Sequence, residues 1–139
     1  MCASSDSGPV FRSTGRCETR TVLVVDDNPE LTALAGAYLG RLDRVSVRAE
    51  TDPREALAQL DDAVDCVVCD YEMPEMDGVS VLETVRERYP DMPFVLFTVA
   101  DEYRVADQVR ERGARFVRKG PAAGGFDQLA ETVEYELGD

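Results

Sequence analysis

The chain has 139 residues and a formal net charge of −13, with 28 acidic residues, 15 basic residues and no histidine. That length suits one domain, and the acid excess argues against nucleic acid or an anionic membrane surface as a direct partner. The missing histidine removes His-activated nucleophiles, the common zinc sites and any role as a phosphohistidine carrier. From Thr21 onward, short apolar runs alternate with amphipathic stretches, the pattern of an α/β fold with a parallel sheet and helices on both faces.

The first predicted strand is Thr21 to Val25 and runs into Asp26 and Asp27. Asn28-Pro29 opens a helix, because proline at an early helical position gives up an N–H that would be unpaired there anyway. A weak second strand covers Val45 to Ala49, and Thr51 or Asp52 caps a helix that starts at Pro53. The third strand, Asp65 to Cys69, runs into Asp70. Met73-Pro74 and Asp77-Gly78 punctuate the loop before a helix marked by Val79, Leu82 and Val85. The fourth strand, Pro93 to Phe97, ends at Thr98. A fourth helix from about Glu102 to Arg112 has only Val105, Ala106 and Val109 as apolar anchors, so it reads as lightly held, and Gly113 ends it. Ala114 to Val117 forms the fifth strand, leading to Lys119, and Phe126, Leu129, Val133 and Leu137 line a closing helix. Residues 1–19 read as a disordered tail and residues 20–139 as the domain.

Cys66 and Cys69 have the spacing of a redox or zinc pair, but positions three apart on a strand point to opposite faces. They read as small buried apolar residues, while Cys2 and Cys17 fall in the tail. No stretch reaches the roughly 20 apolar residues of a membrane span. The tail lacks the apolar core of a signal peptide, so a cytoplasmic location is expected. Acid excess combined with a single lysine points to a halophilic, high-salt cytoplasm, where screening limits self-repulsion to roughly 3 Å at 1 M salt.

Parallel strands open their carboxyl ends onto one edge, the usual ligand crevice of an open α/β sheet. That edge would gather Asp26, Asp27, Asp70, Thr98 and Lys119. The aspartates are hard oxygen donors of the kind Mg²⁺ or Mn²⁺ prefers. Two such charges about 4 Å apart repel by roughly 4 kcal/mol at an effective dielectric of 20, so the cluster calls for a cation or a proton. A carboxylate not used as a metal ligand can attack phosphorus. Lys119 offers a compact cation to the transferred oxygens, and Thr98 a hydroxyl donor.

The strings Val-Val-Asp-Asp-Asn-Pro (Val24 to Pro29), Asp-Tyr-Glu-Met-Pro-Glu-Met-Asp-Gly (Asp70 to Gly78), Phe97-Thr98 and Gly-Ala-Arg-Phe-Val-Arg-Lys (Gly113 to Lys119) resemble those of response-regulator receiver domains in two-component signalling. The resemblance covers about Thr21 to Leu137 and implies a flavodoxin-like (βα)5 fold of the single-domain, chemotaxis-regulator type. It implies that Asp70 accepts a phosphoryl group from a sensor histidine kinase. Asp27 and Asp70 would hold Mg²⁺ by side chain, Glu72 by its backbone carbonyl, and Asp26 directly or through water. Lys119 would bridge to the phosphoryl oxygens. Thr98 would move toward the phosphate and Phe116 would swing inward, altering the surface of the fourth helix, fifth strand and last helix for an unknown downstream protein. A phosphorylation-dependent homodimer is one form that output can take.

Two positions depart from the family pattern: Gly120 stands between Lys119 and Pro121, and Val99 follows Thr98 where a smaller residue is usual. The resulting expectation is a stand-alone phosphorylatable receiver, not an enzyme beyond hydrolysis of its own aspartyl phosphate. Two alternatives are a receiver-fold interaction module that is not phosphorylated, and an aspartyl-phosphate hydrolase of small phosphoesters. The last would need Asp-x-Asp after the first strand, where this chain has Asp26-Asp27-Asn28.

Overall fold

Val22 to Val25 of β1 (Arg20–Val25), all of β3 (Cys66–Cys69) and Phe94 to Phe97 of β4 (Phe94–Thr98) are short, continuously apolar runs, as strands covered on both faces must be. In the computed structural model, which describes residues 19–99, 103–120 and 125–138, they form the centre of a five-stranded parallel sheet. β2 (Val45–Glu50) and β5 (Arg115–Arg118) are its edges, giving the order β2-β1-β3-β4-β5. β2 is half-exposed along its length, which is why its sequence pattern is weak. The residues of the expected tail before Thr19, with Cys2 and Cys17, lie outside the described residues, as do Ala100 and Pro121.

Strand pleating sends alternate residues into two separate cores. Leu23, Val25, Val67, Cys69, Phe94 and Leu96 face one layer, built from α2 (Pro53–Gln59), α3 (Gly78–Arg88) and α4 (Tyr103–Glu111). Val22, Val24, Cys66, Val68, Val95 and Phe97 face the other, built from α1 (Pro29–Leu39) and α5 (Phe126–Glu136). The two cysteines are therefore buried in different cores with free thiols. Burial pushes both thiols above their ordinary range, and Asp70 and Asp26 push Cys69 further in the same direction. A thiol held neutral is a poor nucleophile and metal ligand.

Helix starts follow short-range chemistry. Asn28 accepts from the Glu30 N–H at 2.9 Å ahead of Pro29, and Asp52, not Thr51, accepts from the Arg54 N–H at 2.9 Å ahead of Pro53. Asp77 accepts from the Ser80 N–H at 2.8 Å and caps α3. The third strand starts one residue later than expected. Asp65 instead uses its carboxylate to accept the Thr21 N–H at 2.8 Å and its own N–H to reach the Thr21 carbonyl at 2.8 Å.

Helix α4 is held by more than its apolar anchors Val105 and Val109, both buried. The Arg86 guanidinium on α3 donates to the carbonyls of Arg112 at 2.7 Å, Met92 at 2.6 Å and Gly113 at 3.1 Å. Glu83 pairs with Arg112 at 2.7 Å beside it. This polar clamp ties the end of α4 and the turn into β5 to the last turns of α3. Arg86→Met, which keeps the stem and removes the donors, is expected to cost about 2–4 kcal/mol in urea unfolding. An unchanged midpoint and slope would show that water replaces the guanidinium without loss.

Candidate functional site

The sheet ladder continues one residue beyond three strands and thereby fixes the backbone of the acidic cluster. The Asp26 N–H donates to Glu50 O at 3.2 Å, the Asp70 N–H to Val25 O at 2.9 Å and the Lys119 N–H to Thr98 O at 2.9 Å. Side chains at these positions project past the carboxyl edge of the sheet into one crevice.

Asp26, Asp27 and Asp70 each offer one carboxylate oxygen, all within 4.8 Å of one another. Asp26 is buried, with Oδ1 accepting the Asn28 N–H at 2.9 Å and Oδ2 accepting Lys119 Nζ at 2.7 Å. The same ammonium stands 3.7 Å from Asp70 Oδ1, and its side chain is only 7% exposed. Asp70 also accepts the Tyr71 N–H at 2.8 Å and a hydrogen bond from the fully buried Thr98 side chain. Burial pushes the Asp70 carboxyl above its ordinary value. Lys119 opposes this, Asp26 adds to it, and the bonds from Thr98 and Tyr71 lower it again. Asp27 is exposed at the mouth.

The residues fit a hard divalent cation. Three carboxylates face one ammonium, so two negative charges stay unbalanced, and the exposed side of the cluster opens onto a cleft lined by Asp27, Tyr71, Glu72, Met73, Pro74 and Asp77. Glu72 itself is exposed at that cleft, as a residue contributing only its carbonyl can be. Phe116 lies half-buried against the α2/α3/α4 core, on the same side of the sheet as α4. Val99 is 61% exposed next to Thr98, and Gly120 is half-buried after Lys119.

Two contributors went unread in the sequence. Asp77 and Gly78 read there as loop punctuation, yet they shape the crevice floor. The Gly78 N–H donates to Tyr71 O at 2.8 Å, and a Cβ on Gly78 would overlap the Asp70 carbonyl oxygen and stand 2.5 Å from Leu96 Cδ1. Only glycine lets the start of α3 approach the Asp70 backbone so closely. The Asp-Gly pair seven residues after Asp70 carried that signal, but as a turn dipeptide it does not announce a packing contact.

The solved structures that this fold matches include the CheY-like receiver domain from Methanospirillum hungatei (TM-score 0.76, 20% identity, 86% of this chain and 94% of that one). The HemR receiver domain of Leptospira biflexa, solved non-phosphorylated, superposes with a TM-score of 0.77 at 22% identity over 87% of this chain and 96% of that one. TrrA from Thermotoga maritima, solved with Mg²⁺ and BeF, matches at 26% identity and a TM-score of 0.72 over 85% of this chain and 99% of that one. Among curated relatives, the transcriptional regulatory protein ZraR of Salmonella typhimurium is 32% identical over 84% of this chain and 26% of its own length. A Haloferax volcanii protein is 37% identical over 62% of this chain and 15% of its own length. The chain thus spans well under half the length of these relatives. Residues 22–124 match the response regulator receiver domain family, so the chain belongs to the receiver domains of two-component response regulators.

Proposed function

We propose that Asp70 is the phosphoacceptor, receiving its phosphoryl group from the phosphohistidine of a sensor kinase. The observation that supports this most is the convergence of Asp70, Thr98 and Lys119 from three strand ends on one buried crevice. An Asp70 oxygen forms the new bond to phosphorus as the bond from phosphorus to the donor nitrogen breaks, and the leaving imidazole takes up a proton. Lys119 sits where its ammonium can pass from the Asp26 carboxylate to a transferred oxygen, and the Thr98 hydroxyl is already within reach of the acceptor. Asp26, Asp27, Asp70 and the Glu72 carbonyl would hold Mg²⁺, which when bound neutralises charge on the carboxylates and the incoming phosphoryl oxygens.

The same proposal includes hydrolysis of the aspartyl phosphate by the domain itself and an output through the face of α4, β5 and α5, by contact with a partner protein or by homodimerisation. It also includes independence from an attached output domain. The size of the product in the source cells tests that last part: a polypeptide of receiver-domain size alone would support it, and a longer one would overturn it. The charge of −13 and the Haloferax volcanii relative support work in a high-salt cytoplasm. No helix among the described residues is long and apolar enough to cross a membrane.

The test is intact mass after incubation with acetyl phosphate and Mg²⁺ in high salt. One added phosphoryl group is expected. No added mass, in folded protein that also fails to bind beryllofluoride, overturns the reading. Lys119→Arg is expected to leave a phosphorylatable protein that does not switch, because a planar fork cannot take the place of a point charge between Asp26 and Asp70. Partner binding or dimerisation by phosphorylated Lys119→Arg at the wild-type level would contradict it.

A further inference from the structure

We propose that the Phe97 ring is a positioning residue for phosphotransfer, holding the Lys119 ammonium on its face. Lys119 Nζ lies 5.5 Å from the Phe97 ring centroid, inside the range of a cation–π contact. The chain's only lysine therefore has a carboxylate on one side, Asp26 Oδ2 at 2.7 Å, and an aromatic face on another. Both partners are largely shut off from water, with Phe97 3% and Lys119 8% exposed, and removal from water is what makes the attraction substantial.

A ring suits this position chemically. An ammonium on a four-carbon stem is a mobile point charge that burial alone does not orient. A further carboxylate would hold it but would also neutralise it and occupy its N–H donors. The face of Phe97 attracts the charge without consuming a donor, so the N–H groups remain available to Asp26, Asp70 and a transferred oxygen. The ring is itself fixed from behind. Phe126, fully buried at the start of α5, packs edge-to-face against it with centroids 5.0 Å apart and planes at 74°. Gly125 precedes Phe126 at φ 91°, where a Cβ would come 2.5 Å from Arg118 O, so α5 begins pressed against the strand end that carries Lys119. Alternation along β4 divides the labour: Thr98 reaches Asp70, and Phe97 on the opposite face carries the lysine.

The inference deepens the phosphotransfer reading and rests on it for its kinetic arm only. In the full-length protein, Phe97→Leu and site-specific mono-, di- and trifluorinated phenylalanine at this position remove the π-face charge, the fluorinated series with little change of shape. Initial rates of phosphate uptake from acetyl phosphate are expected to fall stepwise with fluorine content, to about a tenth of wild type in the trifluorinated protein and in Phe97→Leu. A packing role alone would not follow fluorine content. In unphosphorylated protein, the single-lysine ε-methylene NMR signals are expected upfield from the ring current, and to lose that displacement in Phe97→Leu. This arm needs no phosphate, so it stands apart from the role of Asp70. Equal rates across the fluorinated series, or ε-methylene signals indifferent to Phe97→Leu, would overturn the assignment.

Discussion

Asp70→Asn is expected to fold, to keep its melting midpoint or raise it, and to take up phosphate only at background level. The amide is nearly the shape of the carboxylate, and its oxygen can still accept the Tyr71 N–H that now bonds Asp70 at 2.8 Å. What is lost is the carboxylate proposed to attack phosphorus. What is gained is relief of the repulsion from Asp26 and of the burial that pushes the Asp70 carboxyl above its ordinary value. The sign of the pH effect follows from that shift. A carboxyl raised in the folded state favours folding in its protonated form, so that contribution is present at low pH and fades as pH climbs through the raised value. In divalent-free buffer the wild type should therefore lose stability across that window and Asp70→Asn should not. Uptake by the variant at the wild-type rate would place the nucleophile elsewhere, with Asp27 the next carboxylate to replace.

Gly78→Ala is expected to damage both the fold and the site with a single added carbon. The added methyl would meet the Asp70 carbonyl oxygen and Leu96 Cδ1 together. Neither neighbour can give way easily: the Asp70 N–H is bonded to Val25 O, and Leu96 lies fully buried in the centre of the sheet. Overpacking of this kind costs about 1–3 kcal/mol. Because the displaced atoms belong to Asp70, the proposed phosphoacceptor, a shift of about 1 Å is expected to slow phosphate uptake by roughly a hundredfold in protein that still folds. Gly36→Ala is the control. Its Cβ would touch only Val47 Cγ1 at 3.6 Å, and a mid-helix alanine is worth about 0.5–1 kcal/mol over glycine. Equal behaviour of the two variants would remove the close approach of α3 as an explanation of the Asp70 geometry.

Those parts of the fold that depend on near neighbours were legible in the chain. Asn28-Pro29 and Asp52-Pro53 announce helix starts because a cap bonds two residues ahead. The apolar runs of β1, β3 and β4 announce buried parallel strands, and once the strands are parallel their following residues must share an edge. Asp26, Asp70, Thr98 and Lys119 could be placed at one crevice for that reason alone. The opposite burial of Cys66 and Cys69 also follows from a period of two. Arg86 was not legible, since Arg112 and Gly113 lie 26 and 27 residues away and an arginine near a helix end reads equally well as a solvated charge. The contact of Lys119 with Phe97 was hidden for a similar reason. It depends on the rotamer of a long side chain between two strands and not on any spacing in the sequence.

The separation of the two cores gives each helical layer its own chemical clock. Cys66 belongs to the α1/α5 side of the sheet and Cys69 to the side of α2, α3 and α4, and neither is reachable in the closed fold. A thiol-directed reagent can modify either one only while its own layer lifts from the sheet. The rate of alkylation at Cys66 thus times the opening of one layer, and that at Cys69 times the other. Both thiols fall on one tryptic peptide, residues 55–86, so its fragment ions tell the two modifications apart, and the breathing of this domain can be followed layer by layer at its own cysteines.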